Sequence, residues 1–454
     1  MSEVQEQSSD KPSTTSQGGI VSAEGSSPGI DNGIANPQPN SVGTSQQVVP
    51  SVEPSDHPDD GPSAQTYGEV ADEDDLFGDN FVARPATDVP FIQQKVDSLD
   101  NEHEYYKTTI NELIEGRYVI KEVLGHGSYA EVVRAYDKVT NTKVALKIFR
   151  NNPFIYRKGL DERNRLNRVS DADIDGSQSH IIRLEHNFIY KQHLCFVMEN
   201  MDTNLDKYVK SQGIKATSIQ GKAIRVISLP TIRKIAFTIF NCLKFLRDNR
   251  FVHGDIKPEN ILINFGTREV KIGDLGTLHD VRDSHMEEYR LDQPGTPIFM
   301  APEIHLMVTH DFAIDTWAVG CTLYELFMGA HLFHGDSTHG LLTQIQEKRG
   351  PIGRVLLNNA HPAAVATFFT DDRPHRFRDP YSGAPLVFSS NSQYVVQNDM
   401  RKHFHALAAA DGYPPTNKKD VDVFIELVDR CLQLDPAKRI KPDEALQHAF
   451  FKGV

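Results

Sequence analysis

Between positions 253 and 260 the chain reads His253-Gly254-Asp255-Ile256-Lys257-Pro258-Glu259-Asn260. A carboxylate, an ammonium and a carboxamide crowd together beside the apolar run Ile261-Leu262-Ile263, and packing alone gives no reason to put them there. Chemically, Asp255 suits removal of a proton from a hydroxyl, Lys257 suits neutralising a phosphoryl group in transfer, and Asn260 suits holding a metal ion. Upstream lies Gly125-His126-Gly127-Ser128-Tyr129-Ala130-Glu131-Val132, where glycines let backbone amides approach phosphate oxygens with no Cβ in the way. Lys147 ends the apolar run Val144-Ala145-Leu146, and Asp274-Leu275-Gly276 follows Val270–Ile272. Taken singly, these last three read equally well as a glycine turn, a lysine reaching solvent from a strand end, and an Asp-x-Gly turn. In this order they supply a phosphate cradle, a cation, a base and metal-binding oxygens, the parts of phosphoryl transfer.

Those groups need elements to hold them. Strand-like runs at 118–124, 130–137 and 143–149 are separated by the turn-rich Gly125-His126-Gly127-Ser128 and Asn141-Thr142, which predicts a β-meander. A polar helix is expected over 160–168 and a strand over 194–198. Downstream the period becomes helical: Ile232, Ile235, Ala236, Ile239, Leu243 and Leu246 recur on one face, as do Trp317, Cys321, Tyr324 and Met328, and Phe424, Leu427, Val428 and Leu432. These stripes read as core packing. A small β-rich lobe followed by a larger helical lobe is the expected layout, of α+β class.

Composition sets the limits. Residues 1–100 carry three basic against 18 acidic residues, a net −15, so all of the chain's −14 resides there and the remainder is near neutral at +1. A neutral remainder gives no argument for direct nucleic-acid binding. Residues 1–103, rich in Ser, Gly and Pro at the start, are expected to be a disordered acidic tail. The acidic run 72–75, followed by Leu76 and Phe77, reads as a solvated charge run or a docking peptide. No signal peptide and no membrane span are expected, since no run reaches about 18 apolar residues. Cys195, Cys242, Cys321 and Cys431 are widely spaced and read as buried thiols of a reducing compartment. His331, His334 and His339 read as solvated loop histidines rather than a metal site. Arg373, Arg376 and Arg378 around Phe377 read as a surface salt-bridge cluster.

With Gly295-Thr296-Pro297-Ile298-Phe299-Met300-Ala301-Pro302-Glu303 closing a segment begun at Asp274, the ordered set resembles the eukaryotic protein kinases over 117–451, with 104–116 as a lead-in. That resemblance implies a bilobal kinase fold that uses ATP and Mg²⁺ on protein substrates. It implies that Asp255 is the base, that Lys257 and Lys147 contact phosphates, that Glu162 pairs with Lys147, and that Asn260 and Asp274 hold metal. Leu124, Gly125, His126, Gly127, Ser128, Val132 and Ala145 would enclose the nucleotide, with Met198 at the back of the pocket and Glu199 to Met201 as the adenine-binding hinge. The stretch Asp315-Thr316-Trp317-Ala318-Val319-Gly320 and the pair Arg439 and Glu303 resemble the family's structural anchors.

A narrower resemblance is to the pre-mRNA-processing-factor-four kinases of the dual-specificity tyrosine-regulated group. It rests on Tyr105-Tyr106-Lys107-Thr108-Thr109-Ile110-Asn111-Glu112-Leu113, on Lys147-Ile148-Phe149-Arg150-Asn151-Asn152, on Lys191-Gln192-His193-Leu194-Cys195 and on Leu434-Asp435-Pro436-Ala437-Lys438-Arg439-Ile440. The segment 350–417 matches the insert of that larger group. A nuclear Ser/Thr kinase acting on spliceosome components is implied; an active cytoplasmic kinase outside splicing and a pseudokinase scaffold are the alternatives. Two positions depart from the group: Met300 replaces an arginine, and Gln293 or its neighbours take the place of a regulatory tyrosine, with Tyr289 displaced. Gly254 replaces the catalytic-loop arginine that meets a phosphorylated loop residue in other kinases, which implies activity that depends little on loop phosphorylation.

Overall fold

A computed structural model describes residues 100–101, 103–174, 176–218, 220–281, 295–371, 376–386 and 392–453. The tail expected to be disordered lies outside them up to residue 99, as do the acidic run 72–75, Tyr289, Gln293 and Arg373.

The first lobe is built on an antiparallel sheet: β1 Leu113–Ile114, β2 Tyr118–His126, β3 Ala130–Asp137, β4 Thr142–Phe149, β5 Leu184–Tyr190 and β6 His193–Glu199, in the order β1-β2-β3-β4-β6-β5. Side chains of a strand alternate between faces. Val144, Leu146 and Ile148 therefore join Cys195 and Val197 in a core on one face, together with Tyr118, Ile120 and Val133. Ala145, Phe149, Phe196 and Met198 point to the other face, and Lys147 sits between Ala145 and Phe149 on that side. Helix α1, Pro153–Ala172, covers this second face. Its N-terminus is set by Asn152, whose side chain accepts from the amides of Phe154 and Ile155, with Pro153 at the first turn. α1 is longer at both ends than the 160–168 expected.

Residues 100, 101 and 103, assigned to the tail from the sequence, belong to this lobe. Asp100 pairs with Tyr106 in a β-bridge and accepts from the ring of His193 at 2.8 Å.

The second lobe begins with β7 Thr203–Asn204 and α2 Leu205–Gln212, then the hairpin of β8 Ile214–Thr217 and β9 Ala223–Val226. Helix α3, Leu229–Asp248, presents the predicted stripe to the core and is capped by Ser228. The paired strands β10 Phe251–Val252, β11 Ile261–Ile263, β12 Val270–Ile272 and β13 His279–Asp280 carry the polar motifs between them. After the short α4, Pro302–His305, comes the buried helix α5, Ala313–Met328. Gly320 lets α10, Lys418–Cys431, come close, because a Cβ there would lie 2.8 Å from the Leu432 side chain. Helices α6 Thr338–Arg349, α7 Arg354–Asn359, α8 Pro362–Phe368, α9 Ser392–Ala408 and α11 Pro442–Leu446 complete the described lobe. All four cysteines are buried and free, and no described helix is long and apolar enough to cross a membrane.

Two surface readings need correction. His339 lies on α6, where its ring donates to the Arg378 carbonyl at 2.7 Å between Phe368 and Phe377, and His331 meets Glu325 at 3.1 Å. Phe377 is buried against Phe369 in a small apolar cluster. Arg378 reaches Asp371 at 3.6 Å, but its Nε also donates to the Phe369 carbonyl at 2.6 Å, so this arginine braces the insert rather than decorating it.

Arg439 and Glu303 form a doubly hydrogen-bonded pair with both side chains 1% exposed. Truncation would leave a buried carboxylate unpaired, so Arg439→Ala is expected to cost about 3–5 kcal/mol in urea unfolding. At the edge of the sheet Arg117 donates twice to Asp137, and this hydrogen-bonded pairing holds the Asp137 carboxyl below the usual carboxylate range against the opposing effect of burial. Its stabilisation is present above the unfolded carboxyl value of about 4 and is lost as the pH falls below that. Asp137→Asn should flatten the slope of stability against pH in that acid window and leave the slope near neutrality unchanged.

Candidate active site

Between the lobes lies a cleft of about 810 Å³, a size suited to a nucleotide-sized ligand. Its roof is the hairpin of β2 and β3, closed by a bond from the Gly127 amide to the Ala130 carbonyl at 2.8 Å. Leu124, Gly125, His126, Gly127, Ser128 and Val132 line it from above, Ala145 and Met198 from the sheet, and Glu199 and Met201 from the strand that leaves it.

Lys147 projects from β4 toward α1. Its Nζ lies 2.6 and 2.8 Å from the Glu162 carboxylate and 3.4 Å from Asp274 Oδ1. Burial works against the Lys147 charge, but Glu162 and Asp274 outweigh it and hold its pKa above the ordinary lysine value. The Lys147 ammonium in turn holds the Asp274 carboxyl below its usual range. Asp274 has a left-handed backbone, φ 57° and ψ 78°, which a short polar residue tolerates. Its side chain is half exposed to the cleft.

Across the cleft the stretch between β10 and β11 turns sharply. The amides of His253 and Gly254 both donate to the buried Asp315 carboxylate of α5, each at 2.8 Å. Burial pushes the Asp315 carboxyl up, opposed by His253 and by these two amides. Gly254 sits at φ +80°, and a Cβ there would lie 3.4 Å from the Thr277 carbonyl oxygen. So held, the turn presents Asp255 to Lys257, Asn260 and Thr296. Lys257 Nζ donates to Asp255 Oδ2 at 2.6 Å. The Asn260 amide donates to the Asp255 carbonyl at 2.8 Å and to its Oδ2 at 3.0 Å. Thr296 donates to Asp255 Oδ1 at 2.8 Å and accepts from Lys257 at 2.6 Å.

Leu124, Gly125, His126, Gly127, Ser128, Val132, Ala145, Lys147, Met198, Glu199 and Met201 line the cleft, Asn200 of the hinge does not, and Glu162, Lys257, Asn260 and Asp274 line it too; Asp255 sits just beneath, in bonding contact with Lys257 and Asn260. The Asn260 amide nitrogen is used on Asp255, which turns its carbonyl oxygen into the remaining donor to a cation. With the Asp274 carboxylate, two hard oxygen ligands line one cavity, a set that fits a divalent cation carried with phosphates.

Sequence reasoning missed three participants. Thr296 was visible in the Gly-Thr-Pro of the closing segment, but its bonds to Asp255 and Lys257 span about forty residues of chain. Lys207 of α2 donates to the Leu124 carbonyl, and Lys271 of β12 holds the Glu199 carboxylate at 2.7 Å. Neither lysine sits in a motif, so no local signal marked them.

A family model described as a protein kinase domain matches residues 118–451. The chain is 31% identical over 409 residues to the serine/threonine-protein kinase prp4 of Schizosaccharomyces pombe, covering 86% of this chain and 80% of that one. It is 31% identical to the serine/threonine-protein kinase prpf4B of Dictyostelium discoideum and to the dual specificity tyrosine-phosphorylation-regulated kinase 2 of Drosophila melanogaster, each over 78% of this chain. It spans 42% and 44% of the length of those two relatives. The cleft geometry and these likenesses agree: the chain belongs to the protein kinase family, and prp4-type and dual-specificity tyrosine-regulated kinases are among its relatives.

Proposed function

We propose that this kinase transfers the γ-phosphoryl group of ATP to Ser and Thr hydroxyls of protein substrates, and that it acts on splicing components in the nucleus. The observation that carries the catalytic reading is the cleft faced by Lys147–Glu162 and Asp274 on one side and by Lys257 and Asn260, both bonded to Asp255, on the other. ATP would supply the phosphoryl group, and a divalent cation, Mg²⁺ in this reading, held by Asn260 and Asp274 would supply positive charge beside the phosphates.

The chain's own residues do the rest. Asp255 accepts the proton of the substrate hydroxyl, and its carboxylate is oriented by Thr296 on one oxygen and by Lys257 and Asn260 on the other. Lys257 lies within reach of the transferring group and neutralises its charge. Lys147, aligned by Glu162, holds the α- and β-phosphates, while Asn260 and Asp274 hold metal. The glycine-rich turn, Gly125 to Ser128, covers the phosphates, and Glu199 to Met201 bind adenine. No catalytic position is lost, which argues against a pseudokinase scaffold.

Likeness to the prp4-type kinases over most of the chain supports the splicing assignment. An active cytoplasmic kinase outside splicing is the second reading, favoured by Met300 in place of the group's arginine and by the acidic tail. Co-purification with spliceosomal proteins separates the two.

Control of the site follows from Gly254. With no guanidinium there, a phosphate on the activation segment lacks the arginine partner that the catalytic loop of other kinases offers. Arg168 of α1 instead meets Asp280 of β13 at 2.6 Å, and Arg165 donates to the Gly276 carbonyl at 2.9 Å. The helix that carries Glu162 is thus tied to the start of the segment by fixed charges.

Asp255→Asn should lower transfer from labelled ATP·Mg²⁺ to a mixed protein substrate by about 100- to 10,000-fold, and phosphosite mapping of the wild-type products should return Ser and Thr. Retained transfer in the variant would remove Asp255 from the role of base. Phosphatase treatment of the purified chain should leave the rate within about a factor of two. Loss of activity with the phosphate mapped to residues 277–296 would contradict this.

A further inference from the structure

The glycine-rich turn is tethered in part by Tyr105, which lies outside the matched kinase domain. The Tyr105 hydroxyl donates to the Gly127 carbonyl at 2.7 Å, and its ring stands edge-on to His126 with centroids 6.2 Å apart. Arg150, at the end of β4, lies over the Tyr105 ring at 5.1 Å. The same guanidinium donates to the Ser128 carbonyl at 3.1 Å and to the His103 carbonyl at 2.8 Å. Two successive carbonyls of the turn are therefore held from one side.

The lead-in delivering Tyr105 is itself braced. Asn101 accepts the amides of His103 and Tyr105 through its side chain. Asp100 is fixed to His193 and to the Asn151 amide, and the Glu104 carbonyl takes the Asn151 backbone N–H at 2.9 Å. Glu104 also accepts from the side chain of Asn152, the residue that caps α1. The hydroxyl of Tyr105 is thus presented from a turn anchored at several points, not from a free side chain.

A carbonyl held outward turns its peptide plane, and the amide on the following residue with it. A turn whose amides cover phosphates loses less freedom on binding if it is held beforehand. We propose that Tyr105, together with Arg150, is a positioning residue for the nucleotide: it latches the glycine-rich turn over the phosphate end of the cleft, so that the braced lead-in at Tyr105 sets the affinity for ATP. The inference rests on the reading of the cleft as the ATP site.

The test is calorimetric binding of ATP·Mg²⁺ and of adenosine to the full chain, its Tyr105→Phe variant and its Tyr106→Phe variant. Loss of one hydrogen bond should weaken ATP binding by Tyr105→Phe about three- to tenfold, raise KM for ATP in proportion, and leave kcat at saturating ATP and Tm unchanged. Adenosine, which has no phosphates, should bind wild type and Tyr105→Phe equally. Amides of residues 125–129 should exchange hydrogen faster in that variant. Tyr106 is buried and its hydroxyl donates to Glu112, away from the turn, so Tyr106→Phe should lower Tm without changing ATP affinity. ATP affinity unchanged in Tyr105→Phe, with wild type binding normally, overturns the latch alone, as does an equal weakening in both variants. Failure of wild type to bind ATP·Mg²⁺ overturns the nucleotide reading and the latch with it.

Discussion

Lys147 comes from the middle of a sheet and Glu162 from a helix packed against it, and the rest of the cleft is arranged around their meeting. Their side chains are 13% and 6% exposed. Removing two such charges from water costs several kcal/mol each, so the pair is a poor source of stability. What it supplies is registration. Lys147 can face the cleft only if β4 keeps its alternation, and Glu162 can reach it only if α1 lies across the sheet at the right height. The cap at Asn152 sets where α1 starts, and the tie from Arg168 to Asp280 fixes its other end to the segment that follows Asp274.

The second lobe solves a similar problem with a different device. A turn rich in polar groups has to be held still beside an apolar core. A single buried carboxylate, Asp315, does this by taking two adjacent amides, and α5 holds that carboxylate among buried apolar side chains. The pair of Arg439 and Glu303 then joins the end of the activation segment to the same helix, through a bond from Arg439 to the Ala313 carbonyl at 3.0 Å. Asp255 is thus positioned by two buried ionic anchors, neither of which touches it.

The glycine-rich turn lacks such a core. It is held on one edge by Lys207 of the second lobe and on the other by Tyr105 and Arg150 of the first. Each bond is to a backbone carbonyl, so none of these tethers uses a backbone amide of the turn.

The sequence alone determined the fold class, the order of the two lobes and, through its motifs, most of the residues that line the cleft. Strand-like runs between turns marked β2, β3, β4 and β6, and period-3.6 stripes marked α3, α5 and α10, because burial on one side of a regular element leaves a local pattern. The polar stretch around Asp255 was legible because nothing in packing explains it. Tertiary structure decided what local pattern cannot encode. Thr296 meets Asp255, Lys207 meets Leu124, and Phe377 is buried although arginines flank it. Tyr105 reaches the glycine-rich turn across 22 residues of chain. These contacts join residues far apart in sequence, and each depends on how whole elements pack, which no window of neighbouring residues contains.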